Sequence, residues 1–270
     1  MYTQHLTSCQ GPISRLTCLS GNLLKVIAAL CMLVDHFTKT TVTKVYIALE
    51  QAGQLPADTH VVFNHVLETI LYPIGAIAFP LFCFLFVEGY RHTRNRKKYF
   101  CRLAVFALIS EIPFDLTFFS GFAEINGTYP FYWHYQNVMF TFLLGMITLL
   151  LMDKAGHIPR KWPAMLIQAG IVTAMCCIAE FFIHADYEGY GVFLIVLFYV
   201  LRKNRLLQVL GPLAAMLVVY NPYPVSMVVS MLLILLYNGQ RGKWNQKYFF
   251  YWFYPGHMVG LLLLNALLGI

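Results

Sequence analysis

The stretch "LLKVIAALCMLVDHF", residues 23–37, opens like a membrane helix and closes on a carboxylate and an imidazole. Between Leu23 and Val34 only Lys25 is charged. A charged side chain at the centre of a bilayer costs about 2.5–3.5 kcal/mol even on insertion scales, so Asp35 calls for a partner or a task. The plain alternative is a surface pair with Lys39 one turn later, at a helix end near Phe37.

Composition sets the environment. The chain is 59% hydrophobic and 16% aromatic, with only 11% charged residues and a mean hydropathy of +0.63, well above the roughly 45–50% apolar fraction of soluble domains. It reads as an all-α, polytopic integral membrane protein. Apolar runs are spread evenly over its 270 residues, which leaves no soluble domain boundary. Residues 1–21 read as a polar cytoplasmic or interfacial lead-in without the apolar core of a secretory signal, and residues 22–270 as a single transmembrane domain. Seven cysteines lie mostly within apolar runs and show no paired metal spacing, so they read as packing residues.

At about 20 residues per crossing, the apolar runs suggest about nine transmembrane helices, with eight to ten as the range: 22–40 (with 22–49 as the alternative), 65–87, 99–119, 137–152, 163–183, 190–201, 206–220, 225–237 and 249–268. Basic residues concentrate in cytoplasmic loops. This division puts seventeen of the nineteen lysines and arginines on one side and leaves Lys39 and Lys44 for the other. The expected topology is an N-terminus inside and a C-terminus outside, in a bacterial cytoplasmic membrane. The net charge of +7 is then a topology signal, and no nucleic-acid partner is expected.

A helix rises about 1.5 Å per residue, which converts spacing into depth. Asp35 lies about 15 Å beyond Lys25, Glu111 about 14 Å and Asp115 about 20 Å beyond Arg102, and His257 about 15 Å beyond Lys247. Ionisable groups from three helices therefore converge near one plane, and intramembrane ionisable groups read by default as functional. A histidine beside a carboxylate suits proton abstraction, because its ordinary pKa of about 6.5 lies near working pH. Asp35 and His36 are adjacent on a helix and point about 100° apart, so the group that orients His36 is expected from another helix, with Glu111, Asp115 and His257 as candidates. Pro113, in "SEIPFD", leaves the carbonyl of Ile109 without its helical donor. No metal is expected, since no HExxH-like spacing occurs.

The second dense patch is "EGYRHTRNRKKYFCR", residues 88–102. Such a run anchors a helix end in lipid headgroups. Its arginine forks also suit the phosphates of a nucleotide-bearing donor, which singles out Arg91, Thr93, Arg94, Asn95 and Arg102.

The chain resembles the TraX family, membrane proteins named for a conjugative-pilin acetylase and related to the wider transmembrane acyltransferases. The resemblance spans residues 23–264. It rests on the opening stretch, on "AFPLFCFLFVEGYRHTRN" with "KKYFCRLAVFALISEIPFDL", and on "QNVMFTFLLG", "ADYEGYGVFLIVLFY" and "FFYWFYPGHM". It implies acyl transfer from a cytoplasmic acyl-CoA, expected to be acetyl-CoA, to an amine or hydroxyl acceptor: a protein N-terminus, a glycan, a lipid or a small metabolite. Asp35 and His36 match the family's Asp-His pair. One departure is Ala76, where an arginine is expected before "IAFP". The mechanism expected is direct transfer with His36 as general base, Asp35, Glu111 or Asp115 facing the imidazolium, and Asn137, Thr141 or His257 as candidate oxyanion donors. The competing class is a proton-coupled small-molecule transporter, for which intramembrane acids and the interruptions "SEIPFD" and "YPIG" are also suited.

Overall fold

The computed structural model describes residues 17–56, 58–219, 223–243 and 248–270. Most of the polar lead-in, with Arg15 and Cys9, and also Lys247, from which the depth of His257 was reckoned, lie outside the described residues.

The described chain is all-α. Helix α1 (Gly21–Phe37) starts at Ser20, whose hydroxyl accepts from the Leu23 amide at 3.3 Å, as an N-cap serine does. It runs without a break through a π-helical turn (Thr38–Val42) into α2 (Thr43–Gln51). Helix α3 (Thr59–Val66), a second π turn (Leu67–Leu71), α4 (Tyr72–Ala76) and α5 (Ala78–His92) form the next rod. Helices α6 (Arg96–Phe118), α7 (Ser120–Ile125), α8 (Val138–Ala155) and α9 (Lys161–Ile178, prolonged by a third π turn at Ala179–Ile183) follow. The chain then folds into α10 (Glu188–Val200), α11 (Arg205–Val219), α12 (Pro224–Leu235) and α13 (Phe249–Leu268).

Among the described residues four helical rods are long and apolar enough to cross a membrane: Gly21–Gln51, Thr59–His92, Val138–Ala155 and Lys161–Ile183. This corrects the eight to ten crossings expected from apolar runs, and with them the parity argument for the two termini. The physical reason is that an apolar run is not yet a spanning rod. The runs at 190–201, 206–220 and 225–237 fold as helices of 13, 15 and 12 residues, about 18–22 Å long at the helical rise against about 30 Å of hydrocarbon. Helix α10 is instead a core helix, with Val192, Leu194, Ile195 and Phe198 completely buried. Helix α6 has 23 residues but carries Arg96, Lys97, Lys98, Arg102, Glu111 and Asp115, and the continuous α13 carries Pro255, His257 and Asn265 among its apolar residues.

Helix α5 is the other buried pillar, with Leu81, Cys83, Phe84 and Val87 excluded from the surface. It packs on α1, α10 and α12, while α6 lies between α8 and α13. Close packing of α8 on α10 depends on Gly145, where a Cβ would stand 2.6 Å from Ile195 Cδ1.

The basic residues gather at one end. Arg96 pairs with Asp153 at 2.7 Å, whose carboxylate also accepts from Tyr90 at 2.8 Å and from Tyr199. Arg202 stacks on Tyr199 at 3.8 Å, Arg205 donates to the Ile234 and Tyr237 carbonyls, and Lys25 stands 5.7 Å over Phe250. Helices α1, α6, α11 and α13 begin at this end, and α5, α8, α10 and α12 finish there.

Candidate active site

His36 is the middle residue of the 31-residue rod Gly21–Gln51, about 22 Å from either end. The π turn after it keeps the rod intact: Thr40 donates to the His36 carbonyl at 2.6 Å and Thr43 to that of Thr38 at 2.9 Å. Thr41, buried, donates to Asn265 Oδ1 on α13 at 2.7 Å. Such π turns recur at functional sites.

The two histidines meet across α1 and α13. His36 Nδ1 lies 2.7 Å from His257 Nε2, and with the ring centroids 4.9 Å apart the two imidazoles meet edge to edge. His257 Nδ1 donates to the Phe253 carbonyl at 2.8 Å. Phe118 presents an edge to the His36 ring at 5.0 Å. His36 Nε2 is 4.0 Å from Asp35 Oδ2, and the same oxygen accepts from Lys39 Nζ at 2.8 Å. Asp35 thus both pairs with Lys39 and faces His36.

Asp35 borders a cavity of about 260 Å³ shared with Lys39, Tyr72, Tyr187, Tyr190 and Tyr223. A smaller cavity of about 40 Å³ has Asp35, Phe79 and Tyr187 in common with it and reaches His36, Asp186 and Tyr254. Phe79 and Tyr187 stack face to face, their ring centroids 3.5 Å apart. Ala76, where arginine was expected, lines the larger cavity. Gly75 lets α4 reach α1: a Cβ there would stand 2.5 Å from Asp35 Oδ1.

Asp186, in the stretch "ADYEGYGVFLIVLFY", also belongs to this site, lining the smaller cavity. It sits on a turn where His184, Tyr187 and Glu188 all have positive φ, a conformation costly for non-glycine residues, at about 1–3 kcal/mol each, and one that clusters at functional sites. The turn is held by Gln136, which donates to the His184 carbonyl and accepts from the Asp186 amide at 3.0 and 2.8 Å. Tyr135 donates to Asp186 Oδ1 at 3.2 Å, and Thr141 donates to the Asp186 carbonyl. The signal available in the sequence was an acid just ahead of an apolar run.

Glu111 and Asp115 lie on a neighbouring face of α6. Glu111 accepts from the Asn137 side chain, which also donates to the Ala107 carbonyl at 2.9 Å. Asp115 accepts from the Tyr132 amide at 2.9 Å. Their contacts are with the start of α8 and the segment before it, whereas the partner that reaches the His36 ring is His257. Glu111 Oε1 and Asp115 Oδ1 are buried without a hydrogen-bond partner. Among the described residues no group of three or more His, Cys, Asp or Glu side chains is placed to hold a metal ion.

The other expected residues line the basic end. Arg91 pairs with Glu88 at 2.6 Å. Thr93 and Arg94 lie in the bend between α5 and α6, and Asn95 caps α6 by accepting from the Lys98 amide at 2.9 Å. Arg102 lies between the rings of Tyr99 and Tyr251, and its buried Nε has no hydrogen-bond partner. Arg91, Arg94 and Arg96 around it are exposed. From Phe79 in the site to Arg91 is about 18 Å along α5.

Fold and site define a helical membrane protein that carries a histidine–carboxylate array halfway along its helices. The chain belongs to the TraX family, whose model, TraX protein, matches residues 20–265. It is similar to a probable fimbrial assembly protein FimC, serogroup H1, of Dichelobacter nodosus, 28% identical in an alignment 203 positions long that covers 68% of this chain and 78% of that protein. No solved structure matches.

Proposed function

We propose that the protein is an acyl-CoA-dependent acyltransferase of the membrane, moving an acetyl group to an amine or hydroxyl with His36 as general base. The observation that carries this reading is the array of Lys39, Asp35, His36 and His257, of which Asp35 and Lys39 border the cavity of about 260 Å³ and Asp35 and His36 the one of about 40 Å³. The CoA thioester supplies the activated acyl group. His36 Nε2 takes the proton from the acceptor as its nitrogen or oxygen bonds to the acyl carbon, and returns that proton to the departing thiolate. Asp35, 4.0 Å away, faces the imidazolium while it holds the proton. Arg91, Thr93, Arg94, Asn95 and Arg102 make up the donor end, and a flexible pantetheine arm bridges the distance along α5. Membership of the TraX family supports acyl transfer, and the basic end supports a cytoplasmic N-terminus in a bacterial cytoplasmic membrane. The name of the relative, a fimbrial assembly protein, favours a fibre-forming protein subunit as acceptor over a glycan, lipid or small metabolite.

The test is transfer of labelled acetyl from acetyl-CoA to envelope extracts, with mass spectrometry identifying the acetylated product. His36→Ala is expected to lower turnover by about 10²–10⁴ while leaving acetyl-CoA affinity intact. Near wild-type turnover in a folded His36→Ala protein overturns the assignment. One observation favours a second reading, proton-coupled transport: Glu111 and Asp115 each carry a buried, unpartnered oxygen. Proton-dependent uptake into proteoliposomes, lost in Glu111→Gln and indifferent to acetyl-CoA, would favour that reading.

A further inference from the structure

The hydrogen-bond chain between α13 and α1 has a direction. A backbone carbonyl only accepts, so the 2.8 Å contact of His257 Nδ1 with the Phe253 carbonyl requires a proton on His257 Nδ1. In a neutral imidazole the other nitrogen is then a bare acceptor. His257 Nε2 must therefore accept across the 2.7 Å contact, and the donor is His36 Nδ1–H. The remaining nitrogen, His36 Nε2, carries the lone pair. The alternative, a doubly protonated His257, would set a charge among apolar rings with only a carbonyl and a second imidazole as partners, and burying a charge without a counter-ion is expensive.

We infer that His257 is a positioning residue, which holds His36 as its Nδ1–H tautomer and aims the Nε2 lone pair at the space beside Asp35. The inference rests on reading His36 as the base, and it adds what the adjacent carboxylate cannot do. Asp35 Oδ2, at 4.0 Å from Nε2, is beyond hydrogen-bond range and leaves the tautomer unselected, while the gap leaves Nε2 open to an acceptor proton. Among the described residues no side chain other than His257 contacts Nδ1 of His36 within hydrogen-bond distance. The His257 ring is itself held, bonded edge to edge to His36 and lying nearly parallel to the Phe253 ring at 5.1 Å. It sits two residues beyond Pro255 on α13, a helix anchored to the same rod by Thr41 and Asn265.

The experiment uses the whole protein labelled with [15N]histidine in lipid nanodiscs, with the His36 resonances assigned by their loss in His36→Ala. Nitrogen shifts are expected to report a protonated Nδ1 and a bare Nε2 at His36. In His257→Ala the tautomer is expected to shift toward Nε2–H, with kcat for acetyl transfer down about 10²–10⁴, the range of a lost base, and KM for acetyl-CoA unchanged. His257→Gln, whose carbonyl oxygen can accept from His36 Nδ1, is expected to restore both the tautomer and part of kcat. A wild-type His36 protonated on Nε2 overturns the inference, as does a folded His257→Gln with the spectrum of His257→Ala. If the nitrogen shifts behave as expected and no acetyl transfer is found, the positioning role stands and the acyltransferase reading falls.

Discussion

At the scale of single residues, Asp35 bears the most competing demands. Its Oδ2 binds Lys39 at 2.8 Å and faces His36 Nε2 at 4.0 Å, so it compensates one standing charge and one transient charge. At an effective dielectric of about 20, a full charge 4 Å away is worth about 4 kcal/mol. Asp35→Asn, which keeps the shape, is therefore expected to lower kcat by up to about 10³ with acetyl-CoA affinity unchanged, as steady-state transfer and calorimetry would register. Gly75→Ala tests the same carboxylate from the opposite side. Its Cβ would stand 2.5 Å from Asp35 Oδ1, so the variant is expected to lose about 1–3 kcal/mol, as overpacked cores do, together with turnover; a thermal midpoint equal to wild type would contradict that contact. The Asp-His pair could be read from sequence because a charge inside an apolar run is conspicuous. Gly75 could not, and Asp186 only as an acid ahead of an apolar run, because their roles exist only where α4 and the 184–187 turn come up against α1.

At the scale of elements, the π turn at Thr38–Val42 lets one helix carry a row of hydroxyls without breaking. Thr41→Val deletes the donor to Asn265 Oδ1 and leaves a buried amide whose nitrogen already has no hydrogen-bond partner. The expected cost is about 1–3 kcal/mol, measured as a lower thermal midpoint. The helix that ends near Phe37 in the plain alternative instead runs on to Gln51: the π turn keeps its backbone bond from Thr43 N–H to the Thr38 carbonyl and adds hydroxyl bonds from Thr40 and Thr43. The start of α6 separates two roles that the sequence merged. Asn95 caps the helix, so Asn95→Ala is expected to cost about 1 kcal/mol of stability and little donor affinity. Arg102, with its unpartnered Nε, is expected to behave in the opposite way: Arg102→Ala weakens acetyl-CoA binding with the protein still folded. Equal donor affinity in both variants would return the patch to lipid anchoring.

At the scale of the molecule, the charges define two ends. Lys25, Arg91, Arg96, Arg202 and Arg205 share one end through the contacts of α1, α5, α6, α8 and α10–α13, while the 52–56 and 126–135 segments lie at the other. In a cysteine-free background, Arg94→Cys and Lys203→Cys are expected to react with an impermeant thiol reagent from one face of the membrane, and Gln54→Cys and Asn126→Cys from the other. Labelling of Arg94→Cys and Asn126→Cys from the same face would overturn this arrangement.

The sequence by itself determined the solvent and the chemistry. An apolar fraction of 59% with clustered lysines and arginines leaves lipid as the surroundings and helices as the structure, because backbone polar groups in lipid must be satisfied within the segment. An acid and an imidazole inside such a run point to a site for the same energetic reason. Only the tertiary structure decided which apolar runs are rods and which are core, since a 13-residue helix such as α10 is equally apolar whether its neighbours are lipid or protein. The tertiary structure likewise decided that His257, and not Glu111 or Asp115, meets His36. All three lie at similar depth, but hydrogen bonds need atoms within about 3 Å, and which helix faces reach that distance is set by packing across the bundle.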